Sequence, residues 1–116
     1  MKLPHLAPLI FAQEILFLDE KKAKIRCKFD TQPSLAMFIE ASAQSSAAFF
    51  QEGGYTVGYL VNAKNIQWIN KSEDTQFIIT LDLEISFESM SNYSFIATDL
   101  TEQKTICSGE FTISIQ

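Results

Sequence analysis

The sequence predicts an α+β domain in which a six-stranded antiparallel sheet wraps around one long central helix. Three observations carry that prediction. Residues 23–29 alternate Ala23, Ile25, Cys27 and Phe29 with Lys24, Arg26 and Lys28, the period of a strand with one face in a core and one in water. Residues 33–51 abandon that period, and between Leu35 and Phe50 they hold one charged side chain, Glu40. From Val57 onward the chain returns to β-rich segments split by short polar runs. A single helix cannot supply the crossovers that parallel strands need, so the sheet is expected to be antiparallel with the helix across its inner side.

Each element follows from local pattern. Residues 9–18, Leu-Ile-Phe-Ala-Gln-Glu-Ile-Leu-Phe-Leu, are rich in β-formers without a helical stripe, and Asp19-Glu20-Lys21-Lys22 reads as a turn. The second strand is 23–29. Pro33 near a first turn, Gly53-Gly54 as a stop and Asp30 or Thr31 as a cap then frame a helix over 33–51. It has about five turns and is about 28 Å long. With so little charge it is expected to be buried nearly all round. The small residues from Ala41 to Ala48 let a sheet approach closely, and Glu40, Gln44, Ser42, Ser45 and Ser46 argue against a membrane span. Four further strands are expected at Val57–Trp68, Gln76–Phe87, Tyr93–Leu100 and Thr105–Ile115, separated by Asn70–Asp74, Ser89–Asn92 and Thr101–Gln103.

The totals bound the function. A chain of 116 residues, 47% hydrophobic and 20% charged, is one globular domain spanning 1–116. A net charge of −5 argues against nucleic acid and against an anionic membrane surface as partners. Cys27 and Cys107 are far apart, without the spacing of a zinc site or a disulfide framework, so both are expected to be buried free thiols. No metal and no cofactor are expected. Pro4 and Pro8 interrupt the amino-terminal stretch where an apolar signal segment would lie, and a cytoplasmic protein is expected.

Three segments bear a family resemblance. Leu3-Pro4-His5-Leu6-Ala7-Pro8-Leu9 resembles the Leu/Ile-Pro-His-x-x-Pro-hydrophobic opening of the 3-hydroxyacyl-acyl-carrier-protein dehydratases. Ile39-Glu40-Ala41-Ser42-Ala43-Gln44 resembles their central-helix Glu-Ala-x-Ala-Gln motif, and Gly58 to Trp68 is similar to their third strand. The resemblance covers nearly the whole chain and implies the hotdog fold. One departure matters. Those dehydratases carry a His-Phe-Pro-Gly loop and a further Pro-Gly turn before the central helix, whereas this chain has only Phe29-Asp30-Thr31-Gln32-Pro33-Ser34. The family's catalytic histidine has no counterpart here. A loop shortened in this way resembles dehydratase-like relatives found beside polyene and polyketide-type fatty acid pathways.

The resemblance implies that the chain binds an acyl thioester on acyl carrier protein or coenzyme A, as a homodimer or a larger hotdog oligomer with the pocket at a subunit interface. Dehydrating a 3-hydroxyacyl thioester needs a base for the α-proton, an acid for the departing hydroxyl and polarisation of the carbonyl. Glu40 matches the family's catalytic glutamate. Gln44, one turn on, either orients Glu40 or merely satisfies it. His5, the only histidine, matches a family position that is not the catalytic one; it is a candidate catalytic group or a pin for the amino-terminal segment. Asp30 is a cap or a polar substitute for the lost histidine, since some hotdog thioesterases use an aspartate near this place. The amides around Ser34 and Leu35 would polarise a thioester carbonyl. Tyr59 and Trp68 are acyl-tunnel residues or ordinary packing. Dehydration, thioester hydrolysis and a non-catalytic subunit that joins a histidine-bearing hotdog partner all stay open.

Overall fold

The computed structural model describes residues 11–50 and 58–115. Within them the chain forms β1 (Ala12–Leu18), β2 (Lys22–Lys28), α1 (Leu35–Ser45), a 3-10 helix (Ser46–Phe50), β3 (Gly58–Trp68), β4 (Gln76–Phe87), β5 (Met90–Thr98) and β6 (Thr105–Ile115). The six strands make one sheet in the order β1-β2-β4-β5-β6-β3, and every pairing is antiparallel. Register follows the buried alternation. Ile25 opposes Ile79, which opposes Ala97, and Tyr93 opposes Phe111. All of these are buried on the inner face, against the helix.

Phe38 seats α1 on that face. Its ring meets Phe77 at 4.9 Å, Phe29 at 5.4 Å and Trp68 at 5.8 Å, each edge-on, an arrangement favoured by the ring quadrupole. Ala41, Ser42 and Ser45 lie on the same side, fully buried. Small side chains there let the sheet come close, as their sequence position suggests.

The helix differs from its expected form at both ends. Its cap is Ser34, whose Oγ accepts the Met37 N–H at 3.2 Å, so Asp30 and Thr31 lie upstream in an exposed bend. The α-helix stops at Ser45 and continues only as a 3-10 helix to Phe50. Hydroxyls explain the change: Ser42 donates to Phe38 O at 2.8 Å, Ser45 to Ala41 O at 2.7 Å and Ser46 to Ala43 O at 2.6 Å. Such back-bonding competes with the regular ladder, and the Ser46 N–H is shared among three carbonyls. The Gly53-Gly54 stop lies outside the described residues. In the polar hairpin after β4 only Glu88 and Ser89 turn, so β5 begins at Met90 and ends at Thr98, ahead of the expected Tyr93–Leu100.

Among the described residues the helix is not enclosed on every side. An open six-stranded sheet covers one side of it. Ala36, Glu40, Ala43 and Ala47 follow a 4-3-4 spacing on the side turned away from Phe38 and Ser45, and all four are exposed or half-buried. At the sheet's edge, every residue of β3 except Ile66 is exposed. That strand offers Leu60, Val61 and Trp68 to solvent.

Candidate functional site

Glu40 sits in the middle of α1 as the helix's one ionisable side chain, half-buried among alanines on the side that faces away from the sheet. Gln44 is one helical turn further on, the spacing at which side chains meet. Its Nε2 donates to Glu40 Oε1 at 3.5 Å. Its Oε1 accepts the Phe11 N–H at 2.8 Å and the Ala12 N–H at 3.4 Å. Gln44 is completely buried. The carboxamide thus ties the start of the edge strand β1 to the helix and reaches Glu40 from the same place.

The helix amino terminus lies about 8 Å along the axis from Glu40. Ser34 spends its hydroxyl on the cap, while the Leu35 and Ala36 amides belong to the first turn, whose N–H groups have no partner within the helix. Beside it is a groove of about 870 Å³ lined by Gln32, Pro33, Trp68, Asn70, Lys71 and Lys104, with the loop from Ile69 to Asp74 along one wall. Lys104 Nζ donates to Lys71 O at 2.7 Å, and Gln32 Nε2 to Ser72 O at 2.8 Å, which hold that loop in place. Glu40 is not among the groove's lining residues.

The structure therefore joins some of the sequence candidates and separates others. Glu40 and Gln44 touch. Trp68 packs on Phe38 and lines the groove together with Gln32 and Pro33, whereas Ser34 and Leu35, next in the chain, are not among its lining residues. Tyr59 is at the other end of β3, about 30 Å from Trp68, and it opposes Ser114 on the outer face whereas Trp68 opposes Cys107 on the inner one. Among the described residues the two aromatics thus sit on opposite faces of the sheet. Asp30 is exposed in the bend before the cap, and His5 lies outside the described residues. Among the described residues, no group of three or more His, Cys, Asp or Glu side chains is gathered to hold a metal, and no helix is long and apolar enough to cross a membrane.

Two features escaped the sequence. Lys71 and Lys104 meet at the groove only because the loop after β3 and the β5–β6 hairpin come together, a long-range contact with no local signature. The bulge in β3, where Asn65 takes a left-handed φ of 56° and donates to Glu110 Oε2 at 2.7 Å, was likewise hidden. Asn at a bulge position is the one available hint, since its side chain tolerates that region.

Burial pushes the Cys27 thiol up to about 12, against a weaker opposing hydrogen bond from Ser45. It does the same to Cys107, also to about 12. These are packed, protonated thiols rather than nucleophiles.

No family model and no curated protein matches the chain. Solved structures do. The dehydratase heterocomplex ApeI:P from Xenorhabdus doucetiae superposes with a TM-score of 0.82 at 11% identity, over 98% of this chain and 88% of that one. A hypothetical thioesterase with coenzyme A from Streptococcus pneumoniae TIGR4 gives 0.69 at 12% identity, over 89% and 84%. Zebrafish thioesterase superfamily member 2 gives 0.69 at 17% identity, over 89% and 80%. Likeness at such identities is a likeness of fold, and the fold is the hotdog.

Proposed function

We propose that this chain binds an acyl thioester, carried on acyl carrier protein or coenzyme A, with Glu40 at the polar end of the acyl site. One observation carries the reading: a half-buried carboxylate in the middle of an otherwise uncharged helix, held by Gln44, on the fold shared by a dehydratase complex and several thioesterases. The site is proposed to be completed by a second hotdog subunit. The half-buried back of α1 and the exposed edge of β3 support this, because a long edge strand with exposed apolar side chains invites pairing with another chain.

The chemistry we read first is loss of water from a 3-hydroxyacyl thioester. The Glu40 carboxyl would give its proton to the departing hydroxyl while a second group takes the α-proton, and amides at the start of α1 would polarise the carbonyl. Asp30 and His5 are this chain's candidates for the second group. In thioester hydrolysis the same carboxylate, or Asp30, would instead take a proton from the attacking water, and the thiolate leaves.

A second reading gives the missing base to a partner: the chain joins a histidine-bearing hotdog subunit and contributes Glu40 or only a surface. It draws support from the likeness to a protein described as a heterocomplex, over 98% of this chain, and from the absence of a loop histidine between Phe29 and Ser34.

The purified chain, alone and co-expressed with any hotdog protein encoded beside it, should be assayed for hydration of an enoyl thioester and for release of free thiol. Hydration that Glu40→Gln abolishes supports the dehydratase reading. Thiol release without hydration moves the chemistry to hydrolysis, and activity only in the co-expressed pair favours the second reading. No turnover and no thioester binding in either form overturns the proposal.

A further inference from the structure

We infer that Gln44 is a positioning residue that makes the two oxygens of Glu40 unequal, leaving Oε2 as the one that exchanges a proton. The inference rests on the proposal that Glu40 acts on substrate, and it concerns how the fold aims that group.

The two ends of a carboxamide have nearly the same shape, but their hydrogen bonding is opposite. At Gln44 the choice is fixed from outside the site. Two main-chain donors, the N–H groups of Phe11 and Ala12, converge on one end at 2.8 Å and 3.4 Å. Only an oxygen can accept them, and turning the amide over would set NH₂ against two N–H groups in a fully buried place. The NH₂ end is therefore the one turned from Phe11 and Ala12, and Glu40 is within its reach. It reaches Oε1 at 3.5 Å, the long end of hydrogen bonding, a separation of the kind that shortens when a ligand closes a site.

A consequence follows for the carboxyl group. In its protonated form the better acceptor is the carbonyl oxygen, so the oxygen that accepts from Gln44 is not the one that carries the proton. Proton delivery and recovery are assigned to Oε2. The direction is set by β1: Phe11, whose ring packs 4.8 Å from Phe29, anchors Gln44, which in turn holds Glu40. An edge strand at one side of the sheet thus steers a carboxylate on the far side of the helix.

The test compares Gln44→Met, of similar length and without polar ends, in two backgrounds of the full chain in its active assembly. In the otherwise native protein, turnover of the enoyl thioester, or of the thioester if hydrolysis is the activity, should drop roughly tenfold to a hundredfold, with KM changed less than twofold. In a Glu40→Asp background, where the shorter side chain already lies beyond the reach of Gln44, the same substitution should add less than a twofold loss. The melting temperature should fall equally in both, because the β1 anchor is lost in both. Equal loss of turnover in the two backgrounds, or a loss confined to KM, would overturn the inference. A crystal structure of Gln44→Met decides it independently of any activity. The Glu40 side chain should leave its rotamer or split between two, and a carboxylate still within about 0.5 Å of its native place means that Gln44 does not position it. That second readout separates the inference from the functional proposal, since it stands even for a chain that turns over neither thioester.

Discussion

Ile66 of β3 lies directly over Gly109 of β6. The bulge at Asn65 and Ile66 sets two residues of β3 opposite this one glycine and turns Ile66 toward the core. A β-carbon on Gly109 would overlap Ile66 Cδ1 and come within 2.9 Å of the Phe95 ring and 3.3 Å of the Ile66 backbone. Gly109→Ala is therefore expected to cost about 1–3 kcal/mol in a urea titration. Part of that loss should return in the pair with Ile66→Ala, whose shortened side chain clears the overlap. Additive losses in the double variant would show that the two do not share that space.

The sequence made the strands legible where one face is wet and the other buried. The alternation through Ala23, Ile25 and Cys27 matches the inner face, and that through Phe77, Ile79, Leu81, Leu83 and Ile85 does so until the irregularity between Leu83 and Ile85 leaves Ile85 exposed; β4 has the expected limits. The helix ends were not legible. Asp30, Thr31 and Ser34 are all good caps by type, and local sequence does not choose among them; in the fold the cap is Ser34. The serine cluster that looked like a close-approach surface also carries the back-bonding that ends the α-helix at Ser45. Glu40 and Gln44 could be singled out as a pair from helical spacing, whereas the attachment of Gln44 to Phe11 and Ala12 is a contact between segments far apart in sequence. Among the described residues one side of the helix stays half-buried, because composition reports what must be covered, not which chain covers it.

Ser34 is the cap on which the first-turn amides depend. Ser34→Ala removes the acceptor for the Met37 N–H and is expected to lower stability by about 1 kcal/mol. Thr at this position should recover most of the loss. Chemical denaturation checks both, and an unchanged midpoint for the alanine variant would show that the cap contributes nothing.

Alkaline pH should weaken the fold through three buried groups. Cys27 and Cys107 are raised from 9.0 to about 12 by burial. Tyr93 is raised from 10.0 to about 12 by burial, opposed by its hydrogen bond with Ser91. In the unfolded chain these groups ionise first. The stability they contribute is complete below pH 9 and is lost as pH climbs toward 12. Urea midpoints measured between pH 7 and pH 10.5 should fall with pH, and Tyr93→Phe should flatten the upper part of the curve. Both thiols should resist iodoacetamide at pH 8 in the native chain and react once it is unfolded; rapid native labelling would contradict their burial.

The exposed edge of β3 gives an association test. Val61 sits at the irregularity between Leu60 and Asn62, half exposed in the isolated chain. Val61→Lys puts a charge on an edge proposed to meet a second subunit. Light scattering should then show a shift from dimer toward monomer, and thioester binding should weaken at least tenfold. A native chain that is monomeric at all concentrations, with intact binding, would remove the second subunit from the proposal.

The most direct measurement is a crystal structure of the protein with a non-hydrolysable acyl thioether analogue of coenzyme A. With a 3-hydroxyacyl chain on the analogue, the expected density runs along α1 with the thioester-mimicking carbonyl near the start of the helix and the β-hydroxyl within hydrogen-bonding reach of Glu40 Oε2. An analogue bound elsewhere, with Glu40 untouched and facing solvent, would contradict the assignment of this carboxylate to an acyl site.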